Sequence, residues 1–274
     1  MLLINRMTYP IVVTAFFSIK SKEPPSFYYE KSKAMLKTPA LVILFTSSKH
    51  ADYFREIRGD LPIKIVTLAI DDYGMPEESP VKSWVKESDW TNLYNNLSKR
   101  HPNRNGTMTV SLMQMWLNKA WFLTKASLIE ENVDKNTPFV WCDIGCVRNG
   151  SDAELIKTWP STESIYKKGA SDQNKIYFIK RLPLKFSVIA DQNSPIDGSC
   201  IIVYKSSLQF FLEDVKKKVI EHTIKYNDAV FDETIYMCLL LENKDKYSFI
   251  SESDIVPTDI WGNWFTAFKI FQES

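Results

Sequence analysis

Seven short runs along the chain are apolar enough to be strands, and segments of helical period separate most of them. The runs are IVVTAFF (11–17), ALVILFT (40–46), IKIVTLAI (63–70), FVWCDI (139–144), KIYFIK (175–180), SCIIVY (199–204) and YSFI (247–250). The first four are almost continuously apolar, as in strands covered on both faces. Helical patterns fall at 28–36, 52–58, 81–98, 111–129, 206–224 and 232–242. Strand and helix therefore alternate through the first half, which predicts an α/β fold with a mostly parallel central sheet flanked by helices. Residues 71–80, 99–108 and 187–198 read as loops, and 149–174 as a polar run. One domain is the simplest organisation, with ligands expected beyond the carboxyl ends of the strands.

The chain has 274 residues, enough to bury a sizeable core. A net charge of +1 gives no electrostatic reason to expect nucleic acid or a membrane surface as partner. No apolar run reaches the length of a membrane span. The segment 10–19 reads as a strand rather than a signal peptide, and the expected location is cytoplasmic. Four cysteines (Cys142, Cys146, Cys200, Cys238) lack a paired metal-binding spacing and read as buried free thiols. The three histidines (His50, His101, His222) are scattered and read as surface residues. Glycine-rich dinucleotide, P-loop and nucleophile-elbow signatures are absent, as is the H-E-x-x-H zinc motif.

Candidate chemistry lies in carboxylates at strand ends and one misplaced lysine. The fourth apolar run ends on Asp143, followed by Gly145 and Arg148. An ionised group in that setting needs a strong partner, and Gly145 would let a ligand approach the backbone. The third run leads into Asp71 and Asp72, which either cap the following turn or join Asp143 at one sheet edge. Lys119 has Leu112, Met115, Trp116, Phe122, Leu123 and Ala126 as its helical neighbours, so it lies inside a buried stripe. Its stem either snorkels to an edge or its ammonium meets an anion, with Asp143 within reach. Asp232 and Glu233 open a helix, as caps or as groups facing a cleft. Trp261 and Trp264 flank Gly262 in a segment suited to sugar stacking.

Together these features resemble the nucleotide-sugar glycosyltransferases of the GT-A fold, and beyond that the bacterial HtrL/YibB family. The shared motifs are the opening VVTAFF, WCDIG followed by Arg148, DGS before a strand, and a later DE opening a helix. The family's D-x-D appears as Asp143-Ile144-Gly145. The resemblance implies a single GT-A-like domain, with about 1–145 binding the nucleotide sugar and about 146–274 the acceptor. It implies a hexosyl- or pentosyltransferase of polysaccharide biosynthesis that uses a UDP-sugar and a glycan or other hydroxyl acceptor. By position, Thr14, Ala15 and Phe16, in the loop after the first strand, would hold base and ribose, and Asp71 or Asp72 would contact uracil or ribose. Lys119 would sit near the donor's phosphates or sugar. Asp143 would bind ribose or a divalent cation (Mn²⁺ or Mg²⁺), with Gly145 and Arg148 alongside. Gly198, Ser199, Trp261 and Trp264 would line the acceptor side, and Asp232 or Glu233 would be the catalytic base. A nucleotidyltransferase and a non-catalytic glycan-binding protein are the competing readings.

Overall fold

The computed structural model describes residues 10–21, 23–100, 109–147, 150–167, 169–180, 195–226 and 231–250. The strands are β1 (Ile11–Phe16), β2 (Leu41–Thr46), β3 (Ile63–Thr67), β4 (Pro138–Cys142), β5 (Ile176–Lys180), β6 (Ile196–Tyr204) and β7 (Tyr247–Ile250). All seven join one sheet in the order β3-β2-β1-β4-β6-β5-β7. Strands β1, β2, β3 and β4 pair in parallel, as do β5 and β7; β6 runs antiparallel to β4 and β5. The α/β class and mostly parallel sheet expected from the pattern are therefore present.

The helices are α1 (Pro25–Met35), α2 (Ser48–Arg58), α3 (Glu87–Arg100), α4 (Val110–Leu117), α5 (Lys119–Ile129), α6 (Gly150–Leu155), α7 (Thr162–Lys167), α8 (Leu208–Tyr226) and α9 (Asp232–Glu242). Period-2 alternation divides the sheet residues into two cores. Val13, Phe139, Trp141 and Phe178 pack with Phe122, Leu123, Phe211 and Tyr236, from α5, α8 and α9. On the other face Val12, Val140, Cys142 and Ile202 pack with Met35, Phe54, Ile156 and Ile165. Burial on both faces is why the central strands read as continuous apolar runs.

Four local readings are corrected. The helix expected over 111–129 is interrupted at Asn118, whose side-chain amide donates to the Gln114 carbonyl (2.9 Å) while its oxygen accepts from Ser79 Oγ (2.7 Å). Asparagine competes with the helical ladder in this way. Strand β3 stops at Thr67, before the apolar residues that follow it. Thr14, Ala15 and Phe16 are the last three residues of β1, not a loop. The polar run 149–174 contains α6 and α7, and the buried anchors of this stretch, Ile156 and Trp159 between the helices and Ile165 in α7, are too sparse to show a helical period. Among the described residues, no helix is long and apolar enough to cross a membrane.

One buried guanidinium ties this frame together. Arg58, at the end of α2, is 2% exposed and donates to the carbonyls of Leu36, Thr38, Ala40 and Pro62. Burial lowers its pKa to about 10. The next residue, Gly59, ends the helix at φ 59° and ψ −131°, a backbone conformation that favours glycine. Replacing Arg58 by Met should strand these carbonyls and cost about 3 kcal/mol. Urea unfolding measures it; a loss below about 1 kcal/mol would mean that water reaches the carbonyls instead.

Candidate functional site

At the carboxyl end of β4 the strand alternation places Trp141 and Asp143 on the face covered by α5 and α9. Asp143 continues the pairing of β4 with β6 by donating its backbone N–H to the Ser199 carbonyl (3.0 Å). Its carboxylate accepts from the Trp141 indole N–H at Oδ1 (2.7 Å), which fixes its orientation. Lys119, the first residue of α5, reaches the same oxygen from the helix layer at 3.3 Å. Its ammonium also donates to Asp232 Oδ2 and to the Gly198 carbonyl, each at 2.7 Å. Lys119 is 4% exposed, so the alternative of a snorkelling stem does not hold. An ammonium has three protons, and the three oxygen partners match that number.

Glycine at 198 makes the approach of α9 feasible. A Cβ there would lie 2.6 Å from Asp232 Oδ2 and 3.0 Å from Glu233 Cγ. The β5–β6 register slips beside this residue, because Phe178 faces Ile201 whereas Ile179 faces Asp197. The Gly198 carbonyl that Lys119 reaches thus lies within a strand irregularity, a feature common beside functional sites. Asp232 and Glu233 occupy the first turn of α9, where the helix dipole favours negative charge. Glu233 Oε1 accepts weakly from the Gly198 N–H (3.4 Å).

The charges around Lys119 are unequal in effect. Burial alone would lower its pKa, but Asp143 and then Asp232 outweigh it and hold the ammonium protonated above the ordinary lysine range. For Asp143 burial comes first and raises the carboxyl above its usual range, with the attraction of Lys119 only partly offsetting it and Asp232 adding to the rise. The Asp143 side chain is 37% exposed, so water moderates that rise. The Asp232 side chain is only 7% exposed and is committed to the lysine. Glu233 is half-buried and is the more open of the two acids. One turn along, the Tyr236 hydroxyl is buried without a hydrogen-bond partner among the described residues. Burial keeps its proton on.

The other expected site residues fall in different places. Thr14 is fully buried and its hydroxyl has no hydrogen-bond partner among the described residues, while Ala15 is half-buried. Phe16 belongs to an aromatic cluster with Tyr28, Tyr29, His50 and Phe54. Asp71 holds its own turn, accepting from the N–H groups of Tyr73 and Met75 (2.9 Å each) and pairing with Lys82. Asp72 is exposed. The hydroxyl and amide of Ser199 bond the Asp197 carboxylate, and the residue is buried rather than cleft-lining. Arg148, Trp261, Trp264 and His101 lie outside the described residues.

Two features escaped the sequence reading. His50 is 2% exposed, not a surface residue; it sits between Ser18 Oγ (Nε2, 2.8 Å) and Tyr29 OH (Nδ1, 2.6 Å), and burial lowers its pKa. His222 is buried as well. The second feature is Tyr28, whose ring lies 3.0 Å from where a Cβ on Gly145 would stand. The thiols follow the sequence reading more closely: all four are free, and Cys238 alone is only partly buried.

These residues do not fit a divalent ion held by a D-x-D pair. Position 145 offers no carboxylate, and the edge of the Tyr28 ring lies tight against where a Cβ there would stand. Asp143 Oδ1 is already shared by an indole N–H and an ammonium. Among the described residues, no group of three or more His, Cys, Asp or Glu side chains is placed to hold a metal ion.

No family model matches the sequence. No curated protein matches it either. Solved structures with similar chain paths include the apo form of the glycosyltransferase GlyE of Streptococcus pneumoniae TIGR4 (TM-score 0.38, 13% identity, covering 89% of this chain and 45% of that one). Others are core-mannan synthase A of Aspergillus fumigatus in its Mn/GDP form (0.46, 10%, 89% and 73%) and 4-diphosphocytidyl-2C-methyl-D-erythritol synthase of Anaerococcus prevotii DSM 20548 (0.37, 9%, 89% and 87%). The chain spans less than half of the first of these. Scores and identities this low leave activity to be argued from the chain's own residues.

Removal of the ammonium should expose the electrostatics directly. Lys119→Met leaves two carboxylates without their cation and should cost about 3–5 kcal/mol near pH 8. Asp143 already has a folded pKa above its unfolded one, and losing the lysine raises it further. A carboxyl whose folded pKa is raised takes up protons on folding, so the variant regains stability as pH falls through that folded pKa. Urea unfolding should show a smaller deficit at about pH 5 than at about pH 8. Equal deficits would assign the loss to packing.

Proposed function

We propose that the chain is a glycosyltransferase that moves a sugar from a nucleotide-diphosphate donor, a UDP-sugar, to a hydroxyl of a glycan acceptor. The motif resemblance in the sequence supports the donor class. The observation that carries the reading is the cluster at the carboxyl end of β4. There a partly open carboxylate, Asp143, and a helix-opening acid, Glu233, flank the buried Lys119. Clefts at this edge of an open α/β sheet are where ligands bind.

The roles divide by what each side chain is free to do. Asp143 is held by the Trp141 N–H and Lys119 at Oδ1, and the carboxylate's open edge accepts from donor hydroxyls. Lys119 gives its protons to protein oxygens and so positions Asp143 and Asp232 rather than gripping a phosphate. Asp232 is spent on that ion pair, and Glu233, the more exposed acid of the same turn, is assigned as the base. In an inverting displacement, the Glu233 carboxylate takes the proton of the acceptor hydroxyl. The acceptor oxygen bonds the anomeric carbon as the bond to the diphosphate breaks, and the nucleoside diphosphate departs. Residues from both halves of the chain meet here: Lys119 and Asp143 on the donor side, Gly198 and Glu233 on the acceptor side.

Calorimetry with UDP and a panel of other nucleoside diphosphates tests the donor class. Tightest binding is expected for UDP, and no nucleotide binding at all would sink the reading. Glu233→Gln should lower turnover about 100-fold or more with UDP affinity unchanged. Asp232→Asn should instead destabilise the fold by about 1–3 kcal/mol, by loosening Lys119. Normal turnover in Glu233→Gln would place the base elsewhere.

A further inference from the structure

We infer that the Asp143 centre carries its own cation, the Lys119 ammonium, and is closed to divalent metal. The inference deepens the donor-site reading and rests on it only for the claim that a nucleotide diphosphate binds alongside. Oxygens converge on Lys119 Nζ from three elements that are far apart in sequence. They are Asp143 Oδ1 after β4 (3.3 Å), the Gly198 carbonyl of β6 (2.7 Å) and Asp232 Oδ2 of α9 (2.7 Å). Two carboxylates and a peptide carbonyl are the donor set a hard cation would select. Here a covalently tethered monocation already occupies it, nearly cut off from water.

Three further features of the described residues oppose a metal at Asp143. A metal beside Asp143 would stand next to the fixed positive charge of Lys119, which is itself nearly cut off from water, and the two cations would repel. The neighbouring position that supplies a second carboxylate in D-x-D is Gly145, and Tyr28 Cδ1 lies 3.0 Å from the position of its missing Cβ. A side chain there would require the ring to give way by a few tenths of an ångström. The Trp141 indole N–H adds a second donor to Asp143 Oδ1, so a metal at that oxygen would compete with both the indole and the ammonium. Lysine thus neutralises part of the acidic cluster permanently, in the place where a metal would do so reversibly.

The same geometry makes a positive prediction. With the ammonium removed, Asp143, Asp232 and the Gly198 carbonyl become a vacated oxygen cage, and the chain should acquire divalent-cation affinity. The experiment is Mn²⁺ titration of the full chain, followed by the electron paramagnetic resonance of free Mn²⁺ and by melting temperature. The variants compared are Lys119→Ala, Asp143→Asn and the double substitution. Wild type should bind Mn²⁺ no more tightly than Asp143→Asn. Lys119→Ala should bind it about tenfold or more tightly than wild type, with a rise in melting temperature. The double variant should lose that gain. In parallel, the UDP affinity of wild type should agree within about twofold in EDTA and in Mn²⁺.

Wild-type Mn²⁺ binding that Asp143→Asn abolishes would overturn the inference, as would Mn²⁺-dependent tightening of UDP that Asp143→Asn removes. Mn²⁺ binding that survives Asp143→Asn lies outside this centre and upholds it. If Lys119→Ala does not fold, the comparison of wild type with Asp143→Asn still decides. Absence of UDP binding under every condition would refute the donor reading, while the titration with Mn²⁺ alone separately settles the cation.

Discussion

An ammonium taken out of water must be met by anions, and Lys119 sets where three distant stretches of this chain have to meet. Its stem is fixed by α5, which packs Phe122 and Leu123 against the sheet. Its head then demands oxygens at one point above the ends of β4 and β6. Asp143, Gly198 and Asp232 supply them. Removing either carboxylate, or moving α9 outward, would leave a buried charge poorly compensated. The ion cluster is therefore as much a registration device for α5, β4, β6 and α9 as a chemical site.

The backbone around the cluster is shaped to permit this convergence. Gly198 lets α9 descend until its first-turn acids touch the strand, and a side chain would collide with Asp232. The register slip in β6 occurs at the same place, so the strand bends where the helix arrives. Below, Trp141 stacks on Phe122 at 5.9 Å, and Phe122 on Phe17 at 6.0 Å. The indole that orients Asp143 is thus itself held by the core, which lets a partly exposed carboxylate keep one orientation.

Much of the architecture was legible because the sheet is covered on both faces. All seven apolar runs became strands, and the one interrupted long helix broke at an asparagine whose side chain competes for a backbone carbonyl. The start of β6 was not legible, since Asp197 and Gly198 read as loop although both are buried in the strand and Asp197 pairs with Ile179. Of the site, Asp143 stood out as a carboxylate ending an apolar run, and Lys119 as a charge on a buried helical stripe. The Trp141 contact was within reach, because residues two apart on a strand share a face. Tyr28 and the Ser18–His50–Tyr29 chain of hydrogen bonds were not, since they join residues from loop and helices that no local period connects.

Sequence alone determined the fold class, singled out Lys119 as a charge on a buried stripe, and marked Asp143, Asp232 and Glu233 as the acids of interest, with Asp143 as the lysine's candidate partner. It did so because burial and periodicity act over a few residues at a time. Only the tertiary structure decided which acid the lysine takes, since Asp232 and Glu233 are adjacent and chemically alike. The direction in which each leaves the first turn of α9, relative to Gly198, commits one to the buried ammonium and sets the other against the Gly198 N–H. It also decided that an aromatic ring from α1 lies tight against the position where a second aspartate would begin. Such contacts depend on how helices dock across a sheet, and the pattern of any one segment contains no term for that.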